Sequence, residues 1–131
     1  MQNSQRYFLS KTDRLKSRKA IDLLFEKGKS FAAFPLKIVW MKDENNPGLK
    51  AGFTVSSRNF KKATDRNRIK RLMREAYRLQ KNELQNRVEE KGFGLHVFML
   101  FTGREKENYS VVAEKTAILI NRLCTHLHEK S

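Results

Sequence analysis

The sequence predicts an α+β fold, one domain in which helices and strands share a single core. Three observations carry that prediction. Segments with a helical apolar period and segments that alternate every second residue follow one another along the chain. The 131 residues, 39% of them hydrophobic, suffice to enclose one core. No internal repeat or low-complexity linker divides them, so residues 1–131 read as a single domain, with 1–12 as a flexible basic arm.

Taken in order, the polar arm leads to a helix near Lys16 to Lys27, in which Ala20, Ile21, Leu24 and Phe25 share a face and Gly28 is the stop. From Ser30 to Met41 the period changes. Leu36, Ile38 and Trp40 alternate with Lys37, Val39 and Met41, as in a strand with two distinguishable faces, and Pro35 near its start suits an edge or a bulge. Asp43-Glu44-Asn45-Asn46-Pro47-Gly48 is rich in turn formers and reverses the chain. Leu49 to Ser56 returns as a second strand, with Ala51, Phe53 and Val55 on one side and Lys50, Gly52, Thr54 and Ser56 on the other; the two strands are expected to form an antiparallel pair.

A second helix follows, with Thr64 or Asp65 as its expected N-cap. Leu84 and Val88 allow a further helical piece toward Glu90, ended by Gly92 and Gly94. Leu95 to Phe101 reads as a buried strand. Asn108 is placed to cap a last helix, from Tyr109 to about His128, with Val112, Ala113, Thr116, Ile120, Leu123 and Leu127 along one stripe.

Charge narrows the function. The net charge of +14 exceeds what solubility requires and points to a polyanionic partner. It is unevenly spread: Ser57 to Lys81 holds ten Lys or Arg against two acids, and the first twenty residues hold six against one. Nucleic acid and an anionic membrane surface both fit that asymmetry. The longest unbroken apolar run, Val97 to Phe101, is far short of the roughly 18 residues a membrane span needs. No signal-peptide core stands at the N-terminus, and Cys124, the single cysteine, permits no internal disulfide; both suit a cytoplasmic protein.

The densest cluster of charge lies on the second helix. Ile69, Leu72, Met73, Ala76 and Tyr77 fall on one apolar face at helical spacing. Arg66, Asn67, Lys70, Arg71, Arg74 and Arg78 run beside it, so burial of the stripe turns a row of cations outward. Guanidinium forks pair bidentately with phosphate oxygens, while an ammonium acts as a compact point charge. By itself such a row also fits a solvated helix face, a ribosomal-type RNA-binding protein, or a DNA-binding module with the helix in a major groove. The wide apolar face disfavours the groove, because only a limited edge of the helix could enter it.

The run Arg66-Asn67-Arg68-Ile69-Lys70-Arg71-Leu72-Met73-Arg74-Glu75-Ala76 closely resembles the signature helix of the protein subunit of bacterial ribonuclease P. Gly52-Phe53-Thr54-Val55-Ser56 is similar to the strand that enters that helix, and Phe25-Glu26-Lys27-Gly28-Lys29-Ser30 to the end of the family's first helix. The resemblance implies an α/β sandwich of order helix, strands, helix, strand, helix, with a left-handed βαβ crossover, an exception to the usual hand. It implies a cofactor-like role: an RNA subunit, using Mg²⁺, hydrolyses the phosphodiester that joins the 5′ leader to precursor tRNA, and the protein assists. Arg66, Asn67, Arg68, Lys70, Arg71 and Arg74 would then contact the RNA subunit. A cleft between the first helix and the open sheet face would hold the leader, with Ile21, Phe25, Lys37, Val39 and Thr54 as its candidate residues. Where many members place aromatics in the cleft, this chain has Ile21 and Val39. Neither membrane nor DNA is expected as a partner.

The remaining chemistry-bearing residues read more plainly. Arg68 lies off the main row and could pair with an acid or a sheet edge; Asn67 could make a local turn bond. Phe25, Trp40 and Tyr77 all suit core positions, and of the three only Phe25 is kept as a cleft candidate. His96, His126 and His128 lack metal-ligand spacing, Cys124 suits core, and Asp65 and Glu75 suit a helix cap and a solvated acid.

Overall fold

In the computed structural model, which describes residues 18–45 and 47–129, eight elements alternate along the chain. They are α1 (Arg18–Lys27), β1 (Lys29–Ala33), β2 (Leu36–Asp43), β3 (Gly48–Val55), α2 (Ala63–Gln80), α3 (Asn82–Lys91), β4 (Gly94–Phe101) and α4 (Tyr109–Glu129). The basic arm expected over 1–12 lies outside the described residues.

The strands form one sheet in the order β1-β2-β4-β3. The alternation in β2 sorts its two faces. Leu36, Ile38 and Trp40 join Ala51, Val55, Val97, Met99 and Phe101 in a large core, which α2, α3 and α4 cover with Ile69, Met73, Tyr77, Leu84, Val88, Leu119 and Leu123. On the opposite face Val39 and Phe98 pack with Leu24 of α1, and Ala20, Ile21, Met41 and Leu100 lie around them. Among the described residues the result is a sandwich with one helix on one face of the sheet and three on the other. A fully buried Leu or Met contributes about 1.5–3 kcal/mol, so the three-helix side holds most of the stabilising burial.

Two strand expectations are corrected. The stretch from Ser30 to Met41 is not one strand but a hairpin: β1 and β2 pair antiparallel, with Phe31 opposite Ile38, and turn at Phe34-Pro35, whose peptide bond is cis. The Thr102 N–H donates to the Pro35 carbonyl at 2.7 Å, fixing the turn to the end of β4. The strands before and after the Asp43 to Gly48 turn do run in opposite directions, but they are not neighbours. β4 lies between them, antiparallel to β2 and parallel to β3, with Phe98 opposite both Val39 and Gly52. The physical reason lies in β4, which is buried over almost its whole length and therefore takes a central position with both faces covered. The path from β3 through α2 and α3 to β4 is the βαβ crossover that joins the parallel pair.

The helix ends follow local chemistry. α3 stops at Gly92, left-handed at φ 77°, whose N–H donates to Val88 O. α4 starts as expected, with the Val111 N–H donating to Asn108 Oδ1 at 3.1 Å. α2 departs from expectation: it begins at Ala63 after Lys62, with no side-chain cap, and Thr64 and Asp65 fall inside its first turn.

Candidate nucleic-acid interface

α2 sinks Ile69, Met73, Ala76 and Tyr77 into the large core, and the edge of the Phe53 ring meets Tyr77 at 5.6 Å. With that face fixed, Asn67, Arg68, Arg71 and Arg74 stand exposed and Lys70 half-buried. Among the described residues, Arg68, Lys70, Arg71 and Arg74 make no ion pair, so no described acid neutralises their charge.

Arg66 and Arg78, at the two ends of the row, are held differently. Arg66 turns back on the approach loop, and its Nη1 donates to Phe60 O at 2.7 Å and Lys61 O at 2.8 Å. It therefore pins the loop that delivers α2, a task left open by the missing side-chain cap. Arg78 donates twice to Glu75, at 2.7 and 3.2 Å. Asp65 accepts from Lys106 at 3.1 Å, which ties the first turn of α2 to the loop before α4. An acid there is also favoured by the helix dipole.

The second candidate surface lies across the sheet. The pairing register places Lys37, Leu100 and Thr54 in one row and Val39, Phe98 and Gly52 in the next. Lys37, Thr54 and Ile21 are half-buried, whereas Val39 is only 6% exposed, so it forms floor beneath α1 rather than accessible wall. Phe25 is 45% exposed and meets the buried Phe98 ring edge-on at 5.2 Å. The five candidate residues do belong to one side of the sheet, as their register implied.

Phe98 is the residue that sequence reasoning missed. Its ring lies over Gly52, where an added Cβ would overlap it, so the glycine is what lets an aromatic lie flat across β3. An aromatic is thus supplied to the cleft from β4, opposite Val39. A strand apolar on both faces carries no mark of which residues face which layer, and only the Gly52 position could have hinted at a large neighbour.

The same side of the sheet carries His96, 7% exposed, with Nε2 at 3.4 Å from Asp43 Oδ2. Burial lowers its pKa below 6.5, against the opposing pull of Asp43 and with help from the positive charge of Lys50. Cys124 is buried as expected, and burial pushes its thiol up to about 11. No described helix is long and apolar enough to cross a membrane.

Comparison with known proteins agrees with this geometry. The family model described as Ribonuclease P matches residues 9–124. The ribonuclease P protein component of Porphyromonas gingivalis (strain ATCC 33277) is 33% identical over 106 residues, covering 79% of this chain and 77% of the relative. That of Chlorobium phaeobacteroides is 36% identical over 108 residues, covering 75% and 74%. Among solved structures, the RNase P protein from Thermotoga maritima superposes with a TM-score of 0.67 at 25% identity, covering 83% of this chain and 96% of that one. The Staphylococcus aureus RNase P protein shares the fold, with a TM-score of 0.67 at 17% identity over 85% and 94% of the two chains. The chain belongs to the ribonuclease P protein family, the protein component of an enzyme that processes tRNA in association with RNase P RNA.

Proposed function

We propose that this protein divides its work between the two faces of its sheet, while the RNA subunit carries the phosphodiester hydrolysis that releases the 5′ leader of precursor tRNA. The observation that carries this reading is the outward row on α2, in which Arg68, Lys70, Arg71 and Arg74 have no acid of their own to pair with among the described residues. These four, with Asn67, contact RNase P RNA, and their role is neutralisation and bidentate grip of crowded phosphates. Arg66 contributes from the loop it pins, with the remainder of its guanidinium available beyond the two carbonyls.

The leader lies in the cleft between α1 and the sheet. Phe25 offers a stacking face, Lys37 a charge, and Thr54 and Ile21 the walls, with Val39 and Phe98 beneath. Stacking and charge read no base edge, so one cleft accepts leaders of many sequences. Mg²⁺ serves the RNA-borne reaction. Its ligands are assigned mainly to RNA. The setting is the cytoplasm, where precursor tRNA is made.

Reconstitution tests the reading. The protein, a bacterial ribonuclease P RNA and precursor tRNA are combined at low Mg²⁺, and leader release is followed. Faster cleavage than with RNA alone is expected; no gain at any protein concentration would refute it and return the chain to a plain RNA-binding role.

A further inference from the structure

At the β1 edge of the sheet, two open cavities meet at His126. One, of about 350 Å³, is lined by Lys27, Lys29, Trp40, Met41, Lys42 and His126. The other, of about 310 Å³, is lined by Phe31, Asn121, Arg122, Thr125 and His126. Among the described residues, the trench they form has four Lys or Arg in its lining and no Asp or Glu.

Aromatic rings position two of these cations. Lys29 Nζ lies 5.9 Å from the centre of the Trp40 ring, and the Arg122 guanidinium lies 4.6 Å from that of Phe31. The His126 ring stands edge-on to both, at 4.9 Å from Trp40 and 5.9 Å from Phe31. Trp40 adds a second kind of signal: it is 4% exposed, and its buried indole N–H has no acceptor among the described residues. Such a donor, beside cations with no described acid in the same lining, is the complement of an anion's oxygens. Little of the Trp40 face is accessible for base stacking, so the trench suits the sugar-phosphate backbone rather than a base.

We infer that this trench is a second RNA site, which binds a backbone segment of RNase P RNA separately from the α2 row. The inference rests on the proposed RNA partner. Topology decides between that RNA and the leader. β1 and β3 are opposite edges of the sheet, and the Lys50, Gly52 and Thr54 side of the cleft belongs to β3. The trench instead runs along the β1 edge, from Lys27 at the end of α1 to His126 on α4, and α4 is packed against α2. A large RNA that reaches α2 can continue around α4, and two weak contacts on one molecule reinforce each other through effective concentration.

The test is the triple variant Lys27→Gln/Lys29→Gln/Arg122→Gln, three exposed positions whose change leaves the core intact. Binding to a bacterial ribonuclease P RNA, without tRNA, is measured against salt. The expected result is affinity about tenfold weaker and a log–log salt slope shallower by about 2 to 3, since each lost phosphate contact removes about 0.7 to 0.9. The double variant Lys91→Gln/Lys115→Gln, outside the trench, should show a much smaller loss per charge. A slope equal to wild type, or a loss per charge equal to that control, overturns the site. A loss seen only with precursor tRNA moves the trench to the leader and also overturns it. If wild-type protein itself fails to bind the RNA, the proposed function fails first.

Discussion

On its three-helix side the molecule buries Ile69, Met73, Ala76 and Tyr77 of α2 and turns cations outward that no described acid pairs; on the other side α1 shares Leu24, Val39 and Phe98 with the sheet and leaves Phe25 exposed. The first surface is a regular helix face whose charges stand apart from the core. Changing one of them leaves the packing alone. The second is a small core and a surface at once, because Phe25 rests on Phe98 and Phe98 lies over Gly52. Binding and packing are therefore separable on α2 and entangled in the cleft.

Phe98→Ala presses hardest on that contrast. Removing a ring that is 8% exposed should cost about 3–5 kcal/mol of stability, read from denaturant unfolding, and should release Phe25 from its place. A cost below about 1 kcal/mol, as for an ordinary surface change, would show that α1 does not depend on this ring.

Arg66→Ala comes next and refines the α2 side. Two charge-assisted bonds to Phe60 O and Lys61 O would be lost, with an expected cost of about 1.5–3 kcal/mol. Arg71→Ala should leave stability within about 0.5 kcal/mol of wild type. Equal stability of the two variants would remove the distinction between a residue that pins the loop and one that waits for RNA.

Much of this contrast was legible in the sequence. The spacing of Ile69, Met73, Ala76 and Tyr77 marked the buried face of α2, and Asn108 marked the start of α4, because both signals are local. The alternation of β2 sorted Lys37 and Val39 from Ile38 and Trp40 correctly. Strand order was not legible. The partner that separates β2 from β3 arrives about forty residues later, after two helices, and no local pattern announces an insertion. The β1–β2 turn was hidden for another reason: Ala32, Ala33 and Phe34 continue an apolar run where turn formers are usual, and Pro35 alone marks the reversal. The second task of Arg66 was not legible either, because spacing shows on which side of a helix a residue sits, but not that a long side chain also reaches back to its own loop.

Phe25→Ala should weaken the substrate's grip more than the fold, because the ring is 45% exposed although it rests on Phe98. With about 1–3 kcal/mol for a stacked base, precursor tRNA should bind roughly 5- to 150-fold more weakly to the reconstituted enzyme, and mature tRNA unchanged. Equal losses for the two would make Phe25 a packing residue.

The smallest effect concerns His96. Its folded-state pKa lies below 6.5, because burial outweighs Asp43, so the unfolded chain binds more protons as pH falls below that value. The His96 contribution is then fully present well above pH 6.5 and declines as pH drops through the lower folded value. Urea midpoints at about pH 7.5 and 5.5 should differ less in His96→Phe than in wild type. An identical difference would remove His96 from the pH dependence.

The central claim, that grip on the RNA subunit and recognition of the leader occupy opposite faces, is tested most directly by Arg71→Ala/Arg74→Ala in the reconstituted enzyme. Affinity for RNase P RNA is measured against salt, and the ratio of precursor to mature tRNA affinity is measured at saturating protein. A slope shallower by about 1.4–1.8 with an unchanged ratio is the predicted result. An unchanged slope with a reduced ratio would place the leader on α2 and contradict the account.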